Sequence, residues 1–251
     1  MSNAWFATIA SVTVVSLVSL IGAFVIAVHD RRSEDEEYSP FMHFLIALAV
    51  GALLGDAMIH LLPEAFAEAG QIASLYVGGG FIVFLILEKF LHWRHHHRQQ
   101  VKNRIEPVGV MNLVGDGLHN FIDGALIAAS YLISFPIGLA TTIAVVLHEI
   151  PQELGDYAIL RSAGFSKRSA IFFNFVSALF AIVGAVVVLS TTINVIATAP
   201  LILAFTAGGF IYIVLILLKK LGEELTASRT FGHIASIVLG ILLMWALKFI
   251  E

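Results

Sequence analysis

The stretch LHEIPQELGDYAIL, residues 147–160, places a histidine and the carboxylates of Glu149, Glu153 and Asp156 inside a run that otherwise reads as a membrane-spanning helix. An Asp or Lys at the centre of a membrane helix costs about 2.5–3.5 kcal/mol, whereas a Leu, Ile, Val or Phe returns only about 0.3–0.6 kcal/mol. The apolar neighbours therefore do not offset three acids facing lipid. This polar face must point into the protein, which predicts a bundle of helices around it.

The composition predicts that most of the chain lies in a membrane. It has 251 residues, of which 59% are hydrophobic and 13% charged, with a mean hydropathy of +0.92. A spanning helix needs about 20 mainly apolar residues, and the predicted spans are 4–28, 41–63, 74–92, 108–133, 137–160, 169–190, 200–218 and 232–250. The predicted fold class is an all-α polytopic membrane protein with eight transmembrane helices, forming a single domain over residues 1–251.

Basic residues predict the orientation of these helices. Every Lys and Arg except Lys248 lies in or beside the loops that follow the first, third, fifth and seventh spans, whereas the segments 64–73, 133–137 and 191–199 contain none. Short basic loops stay on the cytoplasmic side. Both termini are therefore predicted on the non-cytoplasmic side, with the plasma (inner) membrane as the default location.

Two further predicted spans carry polar side chains on one face. In VMNLVGDGLHNFIDGALIAASY, residues 110–131, the polar residues fall within about 100° of arc at about 100° per residue; they are Asn112, Asp116, His119, Asn120 and Asp123. The set on the opening stretch spans about 140° and consists of His148, Glu149, Gln152, Glu153 and Asp156. The second span adds Asp56 and His60. Three helices thus present imidazoles and carboxylates at similar depths.

These residue types favour a divalent metal. The chain has no Cys, and imidazole with carboxylate and amide oxygens suits Zn²⁺, Fe²⁺, Mn²⁺ or Co²⁺ rather than Cu(I). The set exceeds what one tetrahedral ion requires, as expected if an ion passes between positions. Taken singly, Asp56, His60, Asp116 and Asp156 are also compatible with hydrogen bonds that hold helices together.

The motifs HNFIDG, residues 119–124, and HEIPQELGD, residues 148–156, resemble the paired signatures of the Zrt/Irt-like proteins, the ZIP metal transporters. They are most similar to the branch that includes the eukaryotic vesicular zinc transporters. The likeness extends to GDAMIHLLPEAF at 55–66 and GGFIVFLILEKF at 79–90. The resemblance implies a homodimer that moves divalent metal toward the cytoplasm by an elevator-like cycle, with the metal as transported substrate and not as cofactor.

The resemblance also implies roles for individual residues. Carried over by position, His119, Asp123 and His148 form the main transport site, and Asn120 and Glu149 form a neighbouring one.

The chain departs from the family pattern at three positions. Gln152 stands where the branch has His, and Gln coordinates only through its amide oxygen. Other branches carry an acid in the sixth span, where this chain has Ala181, and its seventh span ends without one near Leu217. A single site is therefore predicted in preference to a two-metal site.

A polar path is expected on both sides of the site. Glu64 and Glu68 lie on the outer side, where they are expected to attract the ion. Asp116, Asp156 or His60 is expected to lead it toward the cytoplasm. Glu153 completes the candidate metal ligands.

Two other functions remain open at this point. An intramembrane zinc metalloprotease needs His-Glu-x-x-His, and here Gln152 replaces the second His while Pro151 disturbs the helix. A proton-coupled carrier of another solute would use the same His and carboxylates as a relay. We expect a protein that is not an enzyme. Its expected partners are the metal ion and the lipid bilayer, and no nucleic acid. Zn²⁺, Fe²⁺, Mn²⁺ and Cd²⁺ all suit the candidate ligands.

Overall fold

The computed structural model describes residues 2–29, 40–96, 105–191, 195–222 and 227–249. Within these ranges the chain forms helices and no β-strand, which confirms the all-α class. The α-helices are α1 Ser2–His29, α2 Pro40–Gly55, α3 Leu62–Ala69, α4 Ala73–His96, α5 Pro107–Ile133, α6 Phe135–Ser162, α7 Lys167–Ala178, α8 Phe180–Ser190, α9 Val195–Gly222 and α10 Ala227–Leu247.

Five stretches of the described chain are long and apolar enough to cross a membrane. They are Asn3–Ile21, Pro40–Trp93, Lys167–Ser190, Ala197–Gly222 and Arg229–Leu247. Helices α5 and α6, which carry the polar rows, are not in this group, so eight crossings stay a prediction. The basic loops at 30–39 and 97–104 lie outside the described residues.

The second predicted span is longer than expected and contains an irregular turn. The helix runs without a gap from α2 through a π-helical turn, Asp56–Leu61, into α3. It ends at Gly70, whose φ of 60° is a conformation that glycine adopts readily. Single π-helical turns are frequent at functional sites, and this one carries Asp56 and His60.

The sixth predicted span, 169–190, is two helices and not one. Helix α7 ends at Ala178 and α8 begins at Phe180, with a turn at Leu179 between them. The second helix lies against α5 so closely that a Cβ on Gly124 would collide with the carbonyl of Ala181. Ala181, the position at which other branches carry an acid, is thus fully buried in a helix contact.

Helices α5 and α6 occupy the centre of the bundle. Helix α5 contacts α6, α8, α9, α1 and α7, and α6 contacts α1, α2 and α7. One apolar cluster packs around α2, α4, α5, α6 and α9, and a second packs around α1, α5, α6 and α8. The polar rows are thereby removed from the bundle surface, as the cost of placing acids in lipid requires.

Candidate metal centre

The polar rows of α5 and α6 face each other because the two helices are antiparallel neighbours. Only Ser134 separates them, and its hydroxyl accepts a hydrogen bond from the Ile137 amide at 3.4 Å, which caps the start of α6. Helix α6 then continues to Ser162 with Pro151 inside it. Since Pro151 has no N–H, the carbonyl of Leu147 loses its helical partner beside the polar row.

Four side chains converge near the middle of these helices. His119, Asp123, His148 and Glu149 each offer a ligand atom, and these atoms all lie within 4.8 Å of one another. His148 Nε2 lies 3.0 Å and His119 Nε2 3.6 Å from Asp123 Oδ2. Two imidazoles and two carboxylates are the ligand types that Zn²⁺ binds. Glu149, expected in a neighbouring site, belongs to this group.

Several atoms of this group are buried without hydrogen bonds. Among the described residues, neither ring nitrogen of His119 has a hydrogen-bond partner. The Glu149 carboxyl group faces the carboxyl groups of Asp123 and Glu153. His119 is 2% exposed and Glu149 is fully buried. Buried charges are normally paired or bound to metal, so this donor set is suited to receive a cation.

Asp56 on the π-helical turn lies behind His119. Its Oδ2 is 3.8 Å from His119 Nδ1, and its Oδ1 is 3.4 Å from His60 Nδ1. At 3.8 Å this is not a hydrogen bond, so Asp56 places a negative charge next to the ring without fixing its orientation. The His119 ring therefore lies between the carboxylates of Asp56 on the second span and Asp123 on α5.

A cavity of about 470 Å³ leads away from the cluster. It extends from His119 and His148 past His60 and Glu64 to Ile137, next to the turn between α5 and α6. That turn lies on the side without Lys or Arg. The structure thus places His60 on the same side as Glu64, and not on the inner path where the sequence had suggested it.

The rest of the polar row continues toward the opposite end of α5 and α6. Asn120 donates to Asp116 Oδ1 at 2.8 Å, and Asn112 donates to Asp156 Oδ1 at 2.8 Å. Gln152, 3% exposed, has no hydrogen-bond partner in the described structure for either polar atom. These side chains are at most 3% exposed, so the polar row has no opening to solvent at this end.

Asn174 on α7 is a polar contact that the sequence analysis missed. Its amide donates to Glu153, and the residue is 1% exposed. It sits in the run FFNF at 172–175, which reads as aromatic packing. The available signal was a lone amide inside an apolar span, which seldom occurs without a buried partner.

Comparison with known proteins agrees with this architecture. The family model described as ZIP Zinc transporter matches residues 2–108 and 94–248 of the chain. Zinc transporter ZIP13 of Pongo abelii is 38% identical in an alignment that covers 80% of this chain and 65% of that protein. Zinc transporter zipt-7.2 of Caenorhabditis elegans is 30% identical, with 94% and 64% covered.

A third relative extends over more of its own length. The Zinc transporter ZIP13 homolog of Drosophila melanogaster is 28% identical, and the alignment covers 96% of this chain and 88% of that protein. The chain spans a little less than two thirds of the first two relatives. The family match covers almost the whole chain, and several of the similar proteins are named Zinc transporter ZIP13; the chain therefore belongs to the ZIP zinc transporter family, in its ZIP13 branch.

Proposed function

We propose that this protein carries divalent metal ions, with Zn²⁺ as the main substrate, through the centre between α5 and α6 toward the cytoplasm. The observation that carries the proposal is the group formed by His119, Asp123, His148 and Glu149, whose ligand atoms lie within 4.8 Å of one another at the end of a cavity. The relatives named as zinc transporters support the choice of metal.

The ion reaches the centre through the cavity. Glu64 and His60 line its wall, and Asp56 lies deeper, next to His119. Each carboxylate or imidazole replaces part of the hydration shell, so the ion loses its water in steps. The positive charge of the ion also offsets the burial of Asp56 and Asp123.

At the centre, the two imidazoles and Asp123 are the main ligands. Glu149 is the fourth, and Asn120 and Gln152 offer amide oxygens to an ion that moves inward. Gln152 brings neither charge nor imidazole, so it holds Zn²⁺ weakly. Weak binding on the inner side favours onward movement over capture.

The ends of α5, α6 and α9 that lie on the predicted cytoplasmic side are held together in this structure. Lys220 of α9 donates to Glu106 at 2.8 Å and to the Ser162 carbonyl at 2.6 Å, which joins the ends of α9, α5 and α6. Release to the cytoplasm requires this contact to open. We assign that step to a movement of α5 and α6 together, relative to the rest of the bundle. In this proposal the protein is a homodimer, and each copy crosses the membrane eight times with both termini outside. The plasma membrane is the default location.

The geometry does not favour the two other functions. A zinc protease needs a second His one turn after His148, and Gln152 occupies that position. A carrier of an organic solute does not need four ligand atoms that converge on one point, whereas those of His119, Asp123, His148 and Glu149 lie within 4.8 Å of one another.

Metal flux into liposomes that contain the purified protein tests the proposal. Zn²⁺, Fe²⁺, Mn²⁺ and Cd²⁺ are compared for the wild type, His119→Ala and His148→Ala. A matched control is His233→Ala, because His233 stacks on His43 with ring centroids 6.0 Å apart, between α10 and α2 and away from the centre. Flux that only the first two variants abolish is expected. Flux that is absent for every metal, or unchanged in both variants, contradicts the proposal.

A further inference from the structure

We propose that a groove between α5 and α7 binds one anionic phospholipid of the cytoplasmic leaflet, with an acyl chain in the groove and the phosphate at Lys167 and Arg168. The groove is separate from the metal centre, because its wall shares no residue with the cavity that leads to that centre. The inference therefore goes beyond metal transport and names a second partner of the protein.

The groove has an apolar wall. Its volume is about 490 Å³, and it is lined by residues between 110 and 121 of α5 and between 173 and 180 of α7 and the start of α8. Among the described residues that line it, Ser177 alone is polar, and its hydroxyl already donates to the Asn174 carbonyl at 2.8 Å. An ion or a polar solute would lose its hydration here without compensation. A hydrocarbon chain would not.

The groove exists because the sixth predicted span is broken at Leu179. On one side of the break α8 touches α5 so closely that a Cβ on Gly184 would collide with the carbonyl of Phe121. On the other side α7 stands away from α5. A Cβ on Gly117 would find its nearest neighbour, on the Phe180 ring, 3.8 Å away. The space between α5 and α7 is therefore open to the surface of the bundle.

The groove has the length of one bilayer leaflet. From residue 110 to residue 121 helix α5 rises about 16 Å, at about 1.5 Å per residue. Half of a hydrocarbon core that is about 30 Å thick is about 15 Å. The stretch Lys167–Ser190 is apolar enough to cross a membrane, and its basic end lies on the predicted cytoplasmic side. An acyl chain of the cytoplasmic leaflet thus fits along the groove.

Two basic residues lie where the phosphate of that lipid would be. Arg168 precedes Phe173, at the edge of the groove, by about 8 Å along α7, and the head-group layer on each side of a bilayer is about 5–8 Å thick. Arg168 is exposed and Lys167 partly exposed, and neither forms an ion pair with a described residue. Basic residues at this level attract anionic lipid head groups. Two positive charges therefore favour an anionic lipid over a zwitterionic one.

The groove also lies over a thin part of the wall around the polar row. Ser177, in the wall of the groove, is next to the carboxyl group of Asp116. Asp116 is itself 1% exposed, so little more than one small side chain separates it from the groove. A bound acyl chain keeps water away from this part of the wall.

Photochemical cross-linking in phosphatidylcholine vesicles that contain the purified protein tests the inference. The probe is phosphatidylglycerol with a diazirine in the middle of one acyl chain, and labelled peptides are identified by mass spectrometry. We expect labelling of segments 110–121 and 173–180 that excess unlabelled phosphatidylglycerol removes and excess unlabelled phosphatidylcholine does not.

The head-group contact is tested by Lys167→Gln/Arg168→Gln. Each charge is worth about fivefold in lipid affinity, so the concentration of phosphatidylglycerol needed to displace the probe should rise at least about tenfold. Lys219→Gln is the control, because it removes an exposed positive charge from the same side of the membrane at the end of α9. It should leave the displacement unchanged.

The acyl-chain contact is tested by Val114→Trp, which fills the groove from a side chain that is 41% exposed. Labelling of the groove should disappear. Val83→Trp on α4, at a position 46% exposed and outside the groove, is the control and should keep it. Both variants should keep the unfolding temperature within a few degrees.

Two results would overturn the inference. Displacement of the probe by phosphatidylcholine as readily as by phosphatidylglycerol would mean that the groove meets only bulk lipid. Absence of labelling in the groove would mean that no lipid chain occupies it, and disulfide cross-linking of Val114→Cys between two copies would then identify a second copy as the occupant. Neither readout depends on metal flux, so a failure of the proposed transport function is distinguished from a failure of the lipid site.

Discussion

His148 Nε2 lies 3.0 Å from Asp123 Oδ2, which joins α6 to α5 at the outer end of the polar row. The corresponding bond at the inner end runs from Asn112 to Asp156 at 2.8 Å. From residue 112 to residue 123 the helix rises about 16 Å, at about 1.5 Å per residue. The paired rows therefore extend over about half of a hydrocarbon core that is about 30 Å thick.

Asp123→Asn is predicted to weaken Zn²⁺ binding without unfolding the protein. The amide keeps the size of the side chain and removes the charge that lies between His119 and His148. A decrease of at least about tenfold in affinity is expected, because loss of even a hydrogen-bond partner of a metal ligand costs about 10–100-fold. Titration calorimetry on the purified protein measures it. Unchanged affinity would mean that Asp123 is not a ligand.

Gln152→His is predicted to tighten Zn²⁺ binding and to raise its preference over Mn²⁺. The substitution adds an imidazole one helical turn from His148, and imidazole favours Zn²⁺ over harder cations. Competition between the two metals in the liposome assay measures the change. An unaltered ratio of Zn²⁺ to Mn²⁺ flux would place Gln152 outside the path.

Lys220→Met is predicted to open the inner end more often. The side chain is partly exposed, so loss of its bond to Glu106 is worth about 1 kcal/mol or less, about two- to fivefold in population. The chain has no Cys, so a single reporter, Ser162→Cys, can be labelled with a membrane-impermeant maleimide from the cytoplasmic side.

Lys219→Met is the matched control for this measurement, because it removes the same charge from the neighbouring, exposed position. Labelling should accelerate only in Lys220→Met. Equal rates in both variants would show that general loss of charge, and not release of the inner contact, sets the accessibility.

Gly124→Val is predicted to destabilise the bundle. Its Cβ would collide with the Ala181 carbonyl, so α5 and α8 must separate, at a cost of about 1–3 kcal/mol. Gly78→Ala on α4 is the control, since its Cβ meets no atom within 4 Å. Thermal unfolding should shift downward for Gly124→Val and not for Gly78→Ala; equal shifts would contradict the close contact.

The inward orientation of the polar rows can be predicted from the sequence, because acids on a membrane helix are too costly to place in lipid. Acids at helical spacing in an apolar run must face inward, and the structure confirms this for Asp116, Glu153 and Asp156, which are at most 1% exposed. The pairing of α5 with α6 follows from the short turn between them. These are local periodicity and solvation effects, which a single sequence expresses directly.

The contacts between distant helices are less accessible to such reasoning. Asn174 reaches Glu153 from α7, and Asp56 reaches His119 from the π-helical turn. Both depend on how helices cross and on turns such as Leu179 that no strong breaker marks. The position of Glu149 within the His119 group likewise depends on how far α6 is rotated against α5.

The central claim is that an ion in transit binds between α5 and α6 to His119, Asp123, His148 and Glu149. X-ray absorption at the zinc edge of the loaded, purified protein measures the ligands directly. We predict two imidazole nitrogens with oxygen ligands at about 2.0–2.2 Å, and one imidazole in His148→Ala. A spectrum with no imidazole, or one that His148→Ala leaves unchanged, would contradict the account.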